Sequence, residues 1–174
     1  MSLEKYLPFT VWLVFAVLAR MIPHLPNLSP YASLILLTGC QLNRRQAMMM
    51  TLLSLLASDI ALAWLTHTAV FGNWTLFTYT GFIAIAAGSY FLHQRRTVTC
   101  VACYAVGSTL GYWLWTNFGV WALSGLYPHS TAGLSLCMLA GLPFLQNSLI
   151  SALIFVPVFF GFLYYILPLR RAAH

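Results

Sequence analysis

Asp59 is the residue in this sequence whose chemistry most requires a partner. The chain holds two acidic residues, Glu4 and Asp59, and Asp59 lies in an apolar run of leucine, isoleucine and alanine. A charged side chain at the centre of a bilayer costs about 2.5–3.5 kcal/mol on insertion scales, so a carboxylate there must be paired or neutral. Arg20 interrupts another apolar run. We therefore expect Arg20 and Asp59 to pair, either to fix helix packing or to face a ligand. A proton relay is a third interpretation.

Histidine and cysteine side chains between the apolar runs form a second set of candidates. His24, His67 and His129 fall in three different connections, and the third of these connections also contains Cys137. Imidazole and thiolate groups bind transition metals, so these four side chains are candidate metal ligands. The sequence has no HxH or HxxxH spacing, and histidines in wet interfacial loops are the simpler interpretation.

Aromatic and amide side chains are concentrated in the later part of the chain. Tyr112, Trp115, Asn117, Trp121 and Tyr127 follow one another within 16 positions. A belt of Trp and Tyr is common at the edge of a bilayer. The cluster also suits the wall of a binding pocket, and the sequence leaves both interpretations open.

The composition indicates which class of protein positions these residues. The chain has 174 residues, of which 61% are hydrophobic and 6% are charged, against about 25% charged in soluble domains. We therefore predict one all-α transmembrane domain over residues 1–174. The net charge of +6 comes from isolated basic residues and pairs, so we expect no nucleic-acid partner. Carboxylate pairs, nucleophile elbows and phosphate loops are missing from the sequence, so we expect no enzyme.

Six apolar runs predict a bundle of about six transmembrane helices. A spanning helix needs about 20 apolar residues, so the second run is too short to cross comfortably. The outer connection at 119–141 is long and apolar, and we expect a re-entrant or interfacial helix there, around Thr131–Ala140. The six runs lie at about 6–22, 30–42, 46–67, 74–92, 98–118 and 143–169.

The basic residues predict the orientation of this bundle. With six crossings, Lys5 and three arginine pairs, 44–45, 95–96 and 170–171, fall on one side. The positive-inside rule makes that side cytoplasmic. We expect a bacterial inner-membrane protein with both termini in the cytoplasm, and Arg20 is the exception near the outer side.

Several segments together resemble a family of small bacterial membrane proteins of unknown function. The segments are PNLSP after Arg20, SD at Ser58–Asp59, NFGVW from Asn117, YPHSTAGL from Tyr127, and LPF before Gln146. That family is similar to the substrate-binding S components of energy-coupling factor vitamin transporters. Those proteins have six helices, both termini inside, and a vitamin pocket that opens to the outer side.

The resemblance implies a function as well as a fold. It implies a vitamin or cofactor bound as substrate, with no intrinsic cofactor, near Arg20, Asn27, Asp59, Asn117, Trp121 and Tyr127. A solitary cobalamin-binding member of that class ligates cobalt through a cysteine. Cys137 is the candidate on the outer side of this chain, and His24, His67 or His129 could substitute for it. An energising membrane subunit with ATPases is a further expected partner. The rival hypothesis is a structural or assembly protein without a small-molecule ligand.

Overall fold

The structure is a computed structural model that describes residues 7–21, 27–93, 95 and 97–166, with side chains for 11–21, 27–92, 95 and 97–161. The described residues form seven α-helices and no strand, which confirms the all-helical prediction. A short 3₁₀ segment, Tyr90–His93, extends the fourth helix. The helices are α1 (Leu7–Met21), α2 (Tyr31–Gln41), α3 (Arg44–Thr66), α4 (Thr75–Ser89), α5 (Val98–Leu123), α6 (Thr131–Ala140) and α7 (Leu142–Ile166).

The short helix α2 lies at the centre of the bundle. It contacts α1, α3, α4, α5 and α7, and eight of its 11 residues are buried. Eleven helical residues span about 16 Å, roughly half of a hydrocarbon core of about 30 Å. Because other helices surround α2, little of its backbone is exposed despite its short length.

The segment that enters α2 is irregular, and serine side chains satisfy its backbone. The Ser29 hydroxyl donates to the Ala19 carbonyl at 3.2 Å and accepts from the Tyr31 amide at 3.3 Å. The Ser151 hydroxyl of α7 donates to the Ser29 carbonyl at 2.6 Å. These hydrogen bonds pair the irregular backbone with protein groups and hold the segment between α1 and α7.

A close contact between α2 and α4 brings the arginine-bearing connections to one end of the bundle. A Cβ at Gly39 would collide with the Ser89 side chain and the Ala86 carbonyl, so only glycine permits this approach. The α2–α3 connection and the end of α4 therefore lie side by side. Three arginines of these connections are exposed: Arg44, Arg45 and Arg95.

Three of the described helical segments are long and apolar enough to cross a membrane: Arg44–Thr66, Thr75–Leu92 and Leu142–Gly161. This supports a membrane protein by length and composition. The short helix α6 occupies Thr131–Ala140, as the long outer connection predicted. Helix α5 continues to Leu123 rather than ending at Phe118. Gly119 lies within the helix, where its lack of a Cβ lets it pack against the Phe77 ring. Gly125, with φ of 68°, follows the end of the helix.

Candidate functional site

Arg20 and Asp59 form the expected ion pair between α1 and α3. Arg20 Nη1 lies 2.9 Å from Asp59 Oδ1 and also donates to the Ser58 hydroxyl at 2.6 Å. The Tyr79 hydroxyl of α4 donates to Asp59 Oδ2 at 2.7 Å. Both carboxylate oxygens therefore accept from protein donors, and α1, α3 and α4 are joined at one point.

Helix α2 adds an aromatic surface to this pair. The Arg20 guanidinium lies over the Tyr31 ring, 5.4 Å from its centroid, and cations are attracted to such ring faces. The Tyr31 hydroxyl in turn hydrogen-bonds to the Ser54 hydroxyl at 2.7 Å. The side chains of Arg20 and Asp59 are 19% and 14% exposed, and neither lines a described cavity. The geometry is that of a pair that holds four helices together.

An open cavity of about 280 Å³ lies at the opposite end from the exposed arginines. We call it the outer cavity, after the side on which the sequence-based topology would place it. It is bounded by the segment before α2, by α4 and α5, and by α6 with the start of α7. Four predicted ligand-binding residues line it, and the candidate metal ligand Cys137 joins them. The lining residues are Asn27, Thr78, Tyr112, Thr116, Asn117, Val120, Tyr127, Cys137, Ala140, Gly141 and Phe144.

Most polar side chains of this outer cavity already have partners. The Asn117 amide donates to the Trp113 carbonyl at 2.8 Å, and the Thr116 hydroxyl donates to the Tyr112 carbonyl at 2.9 Å. Thr78 and Tyr112 also interact through their side chains. Within the described part of the chain, the Asn27 carboxamide and the Tyr127 hydroxyl have no partner, so they retain hydrogen-bonding capacity for a ligand.

Two tryptophans of α5 fix the wall of the cavity that contains α6. The Trp113 indole donates to the Gly141 carbonyl at 2.8 Å, and the Trp121 indole donates to the Pro128 carbonyl at 2.9 Å. Gly141 also lies directly against the Asn117 side chain. Trp121, a predicted ligand-binding residue, therefore holds the α5–α6 connection in place and does not line the cavity.

The candidate metal ligands are not assembled in the described structure. Cys137 is buried, and its thiol donates to the Asn117 carbonyl at 3.4 Å. Burial also raises the pKa of the Cys137 thiol. His129 lies edge-on to Trp121, with ring centroids 5.4 Å apart, whereas His67 is exposed at the end of α3. Among the described residues no three His, Cys, Asp or Glu side chains are grouped to hold a metal, and His24 lies outside those residues.

A second, larger hollow of about 590 Å³ lies between α4 and α5. Trp115, predicted as a ligand-binding residue, lines this α4–α5 groove and donates to the Thr80 hydroxyl at 2.8 Å. Gly107 and Gly111 also line it, and a Cβ on either glycine would meet no atom within 4 Å. The GxxxG spacing of α5 therefore makes no close helix contact within the described chain.

Sequence reasoning missed several side chains at these sites, among them Tyr79 and Thr78. Tyr79 bonds Asp59, and Thr78, its neighbour, lines the outer cavity. Asp59 and Tyr79 both lie within about two turns of the α3–α4 connection. Their similar distance from this connection is the sequence feature that could have predicted the contact. Successive residues on a helix point about 100° apart, which is why Thr78 and Tyr79 serve different sites.

The chain belongs to a family of unknown function, DUF6580, whose family model matches residues 2–173. Comparison with curated proteins and with solved structures returned no match. The comparisons thus support the resemblance to an uncharacterised family and show no link to the S components of vitamin transporters.

Proposed function

We propose that the chain is a solute-binding membrane protein, similar in role to an S component, that takes up a small vitamin or cofactor from the outer side. The observation that carries this proposal is the outer cavity, where Asn27, Tyr112, Asn117 and Tyr127 come together. These residues come from three separate parts of the fold: the segment before α2, helix α5 and the α5–α6 connection. Convergence of polar and aromatic groups on one hollow is the usual form of a small-molecule site.

The proposal includes six crossings, with both termini in the cytoplasm of a bacterial inner membrane. Three helices are long and apolar enough by themselves, and α5 has 26 residues without a charged side chain. Helices α1 and α2 complete the six, with α2 shielded by its neighbours. The exposed arginines at one end fit the positive-inside rule, and the outer cavity then opens on the other side.

The size of the outer cavity limits the solute. Its volume of about 280 Å³ lies near the lower end of ligand pockets, about 300–1,000 Å³. A cobalamin, with its corrin ring and nucleotide arm, is far larger than this space. A small, single-ring vitamin or precursor fits the described geometry better.

S components dock their membrane partner through an alanine motif, and an energising partner of this chain would use a surface other than the alanines of α1. The chain contains no phosphate-binding loop, so ATP-driven uptake would require a separate subunit. Ala16 and Ala19, the small residues of α1, are 0% and 4% exposed. They pack inside the chain, so they offer no docking surface to another protein.

Recovery of bound solute from native membranes tests the proposal. The protein is purified in mild detergent, and released small molecules are identified by mass spectrometry. Ala140→Phe places a ring at the cavity wall, whereas Ala132→Phe, on an exposed position of α6 outside the cavity, is the matched control. We expect one molecule in wild type and control and its loss in Ala140→Phe. Absence of any bound molecule, or equal recovery from all three, would contradict the proposal.

A structural or assembly function is the second candidate. The Arg20–Asp59 pair favours it, because each oxygen of its carboxylate already accepts from a protein donor. Under this hypothesis the outer cavity is a packing defect, and Ala140→Phe would leave or raise stability without any effect on bound small molecules.

A further inference from the structure

We infer that the solute bound in the outer cavity carries no net charge, and that Asn27 and Tyr127 are the side chains that select it. This inference rests on the proposed solute-binding function and adds the chemical class of the solute. It follows from three properties of the cavity: its charge, its unused hydrogen bonds and its size.

The first property is that the described residues of the cavity wall carry no charge. All 11 lining residues are uncharged. The one described ion pair of the bundle lies outside the cavity, and Arg20 and Asp59 neutralise each other there. A charged solute would lose part of its hydration on entry without gaining a counter-ion from these residues, which disfavours the charged form. The wall therefore discriminates against both anions and cations.

The second property is the distribution of unused hydrogen-bonding groups. The Thr116 hydroxyl and the Cys137 thiol donate to backbone carbonyls, and the Asn117 amide also donates one hydrogen bond to a backbone carbonyl. Within the described chain, Asn27 offers an unpaired carboxamide, and Tyr127 offers an unpaired hydroxyl. A carboxamide both donates and accepts, so the complementary solute carries a neutral group of the same kind, such as an amide or lactam.

The third property is the space and its apolar surfaces. The volume of about 280 Å³ lies near the lower end of the range for ligand pockets. Val120, Phe144 and the ring of Tyr112 provide flat or apolar surfaces. Together these features describe a single-ring heterocycle or aromatic amide without charge.

A panel of matched fragments tests this inference on the full-length protein. The probes are the carboxamide, carboxylate and aminomethyl derivatives of benzene, pyridine and pyrazine, which share shape and differ in charge at pH 7.5. Binding is measured by thermal stabilisation and by tryptophan fluorescence, because Trp113 and Trp121 lie behind the cavity wall. We expect carboxamides to bind at least about tenfold more tightly than their charged counterparts, as the cost of an unpaired ion requires.

Variants then locate the binding. Tyr127→Phe removes only the unpaired hydroxyl, and we expect about 2- to 12-fold weaker binding, the equivalent of one hydrogen bond. Asn27→Gly removes the carboxamide and retains the left-handed backbone, whose φ is 62°. Val120→Asp adds a carboxylate to the wall and should shift preference to the aminomethyl series. Tyr104→Phe is the control, since its hydroxyl bonds the Ile85 carbonyl outside this cavity.

Each outcome decides a separate point. Binding confined to carboxylates or amines would overturn this inference and leave the solute-binding function intact. Carboxamide binding that is insensitive to Tyr127→Phe and Asn27→Gly, or lost in Tyr104→Phe, would show that the contacts were assigned wrongly. Failure of every fragment to bind a folded protein would overturn the inference and the proposed function together.

Discussion

Replacement of Asp59 by asparagine tests the assignment of the ion pair as a packing element. Asp59→Asn keeps the size of the side chain and an oxygen that can still accept from Tyr79. It removes the negative charge beside Arg20, which then lacks its carboxylate partner among the described residues. The perturbation therefore acts on the ion pair, whose N–O distance is 2.9 Å, more than on the shape of the site.

The expected magnitude follows from burial. Removal of one partner from a buried pair typically costs about 3–5 kcal/mol, because the other charge is left uncompensated. The two side chains are 19% and 14% exposed, so solvent screens the remaining charge in part. We expect a loss of about 2–3 kcal/mol for Asp59→Asn, at or slightly below the lower limit of that range because of this screening.

A double-mutant cycle with Arg20→Met measures the interaction itself. Unfolding is followed by circular dichroism during titration of detergent-solubilised protein with SDS. We expect the double variant to be more stable than the sum of the single variants predicts, by about 2 kcal/mol. Additivity within about 0.5 kcal/mol would refute the packing role. Unchanged stability combined with loss of bound solute would instead place the pair at the ligand.

Three further predictions concern other parts of the fold. Gly141→Ala should cost about 1–3 kcal/mol because its Cβ meets Asn117, whereas Gly111→Ala, which meets open space, should stabilise by up to about 1 kcal/mol; SDS titration compares them. Ser151→Ala should cost about 1–3 kcal/mol by leaving the Ser29 carbonyl unpaired, and equal loss in the control Ser148→Ala would contradict this. Because burial raises the pKa of its thiol, Cys137 should alkylate slowly up to pH 9 until SDS is added, as peptide mapping would show.

The sequence predicts best those features for which physical chemistry leaves few alternatives. A lone carboxylate and a misplaced arginine in apolar helices have few alternatives to pairing, and Arg20 and Asp59 do pair. The helix in the long outer connection was equally predictable, since apolar backbone must satisfy its own hydrogen bonds. Helix α6 accordingly occupies the expected residues, Thr131–Ala140.

The membership of the candidate site was harder to predict, because it depends on which way each side chain points. Trp115 and Asn117 are two positions apart on α5, yet Trp115 lies in the α4–α5 groove and Asn117 in the outer cavity. Trp121 was expected to contact a ligand but bonds the Pro128 carbonyl. The sequence shows that aromatic side chains are concentrated in α5 and the connection after it. Which of them face a cavity depends on how the neighbouring helices pack.

The most direct measurement of the central claim is an experimental density map of the protein purified from its own membranes and placed in lipid nanodiscs. The account predicts density for one small molecule in the outer cavity, within hydrogen-bonding distance of Asn27 and Tyr127. The account would be contradicted if protein side chains filled this cavity, or if the only bound molecule lay in the α4–α5 groove.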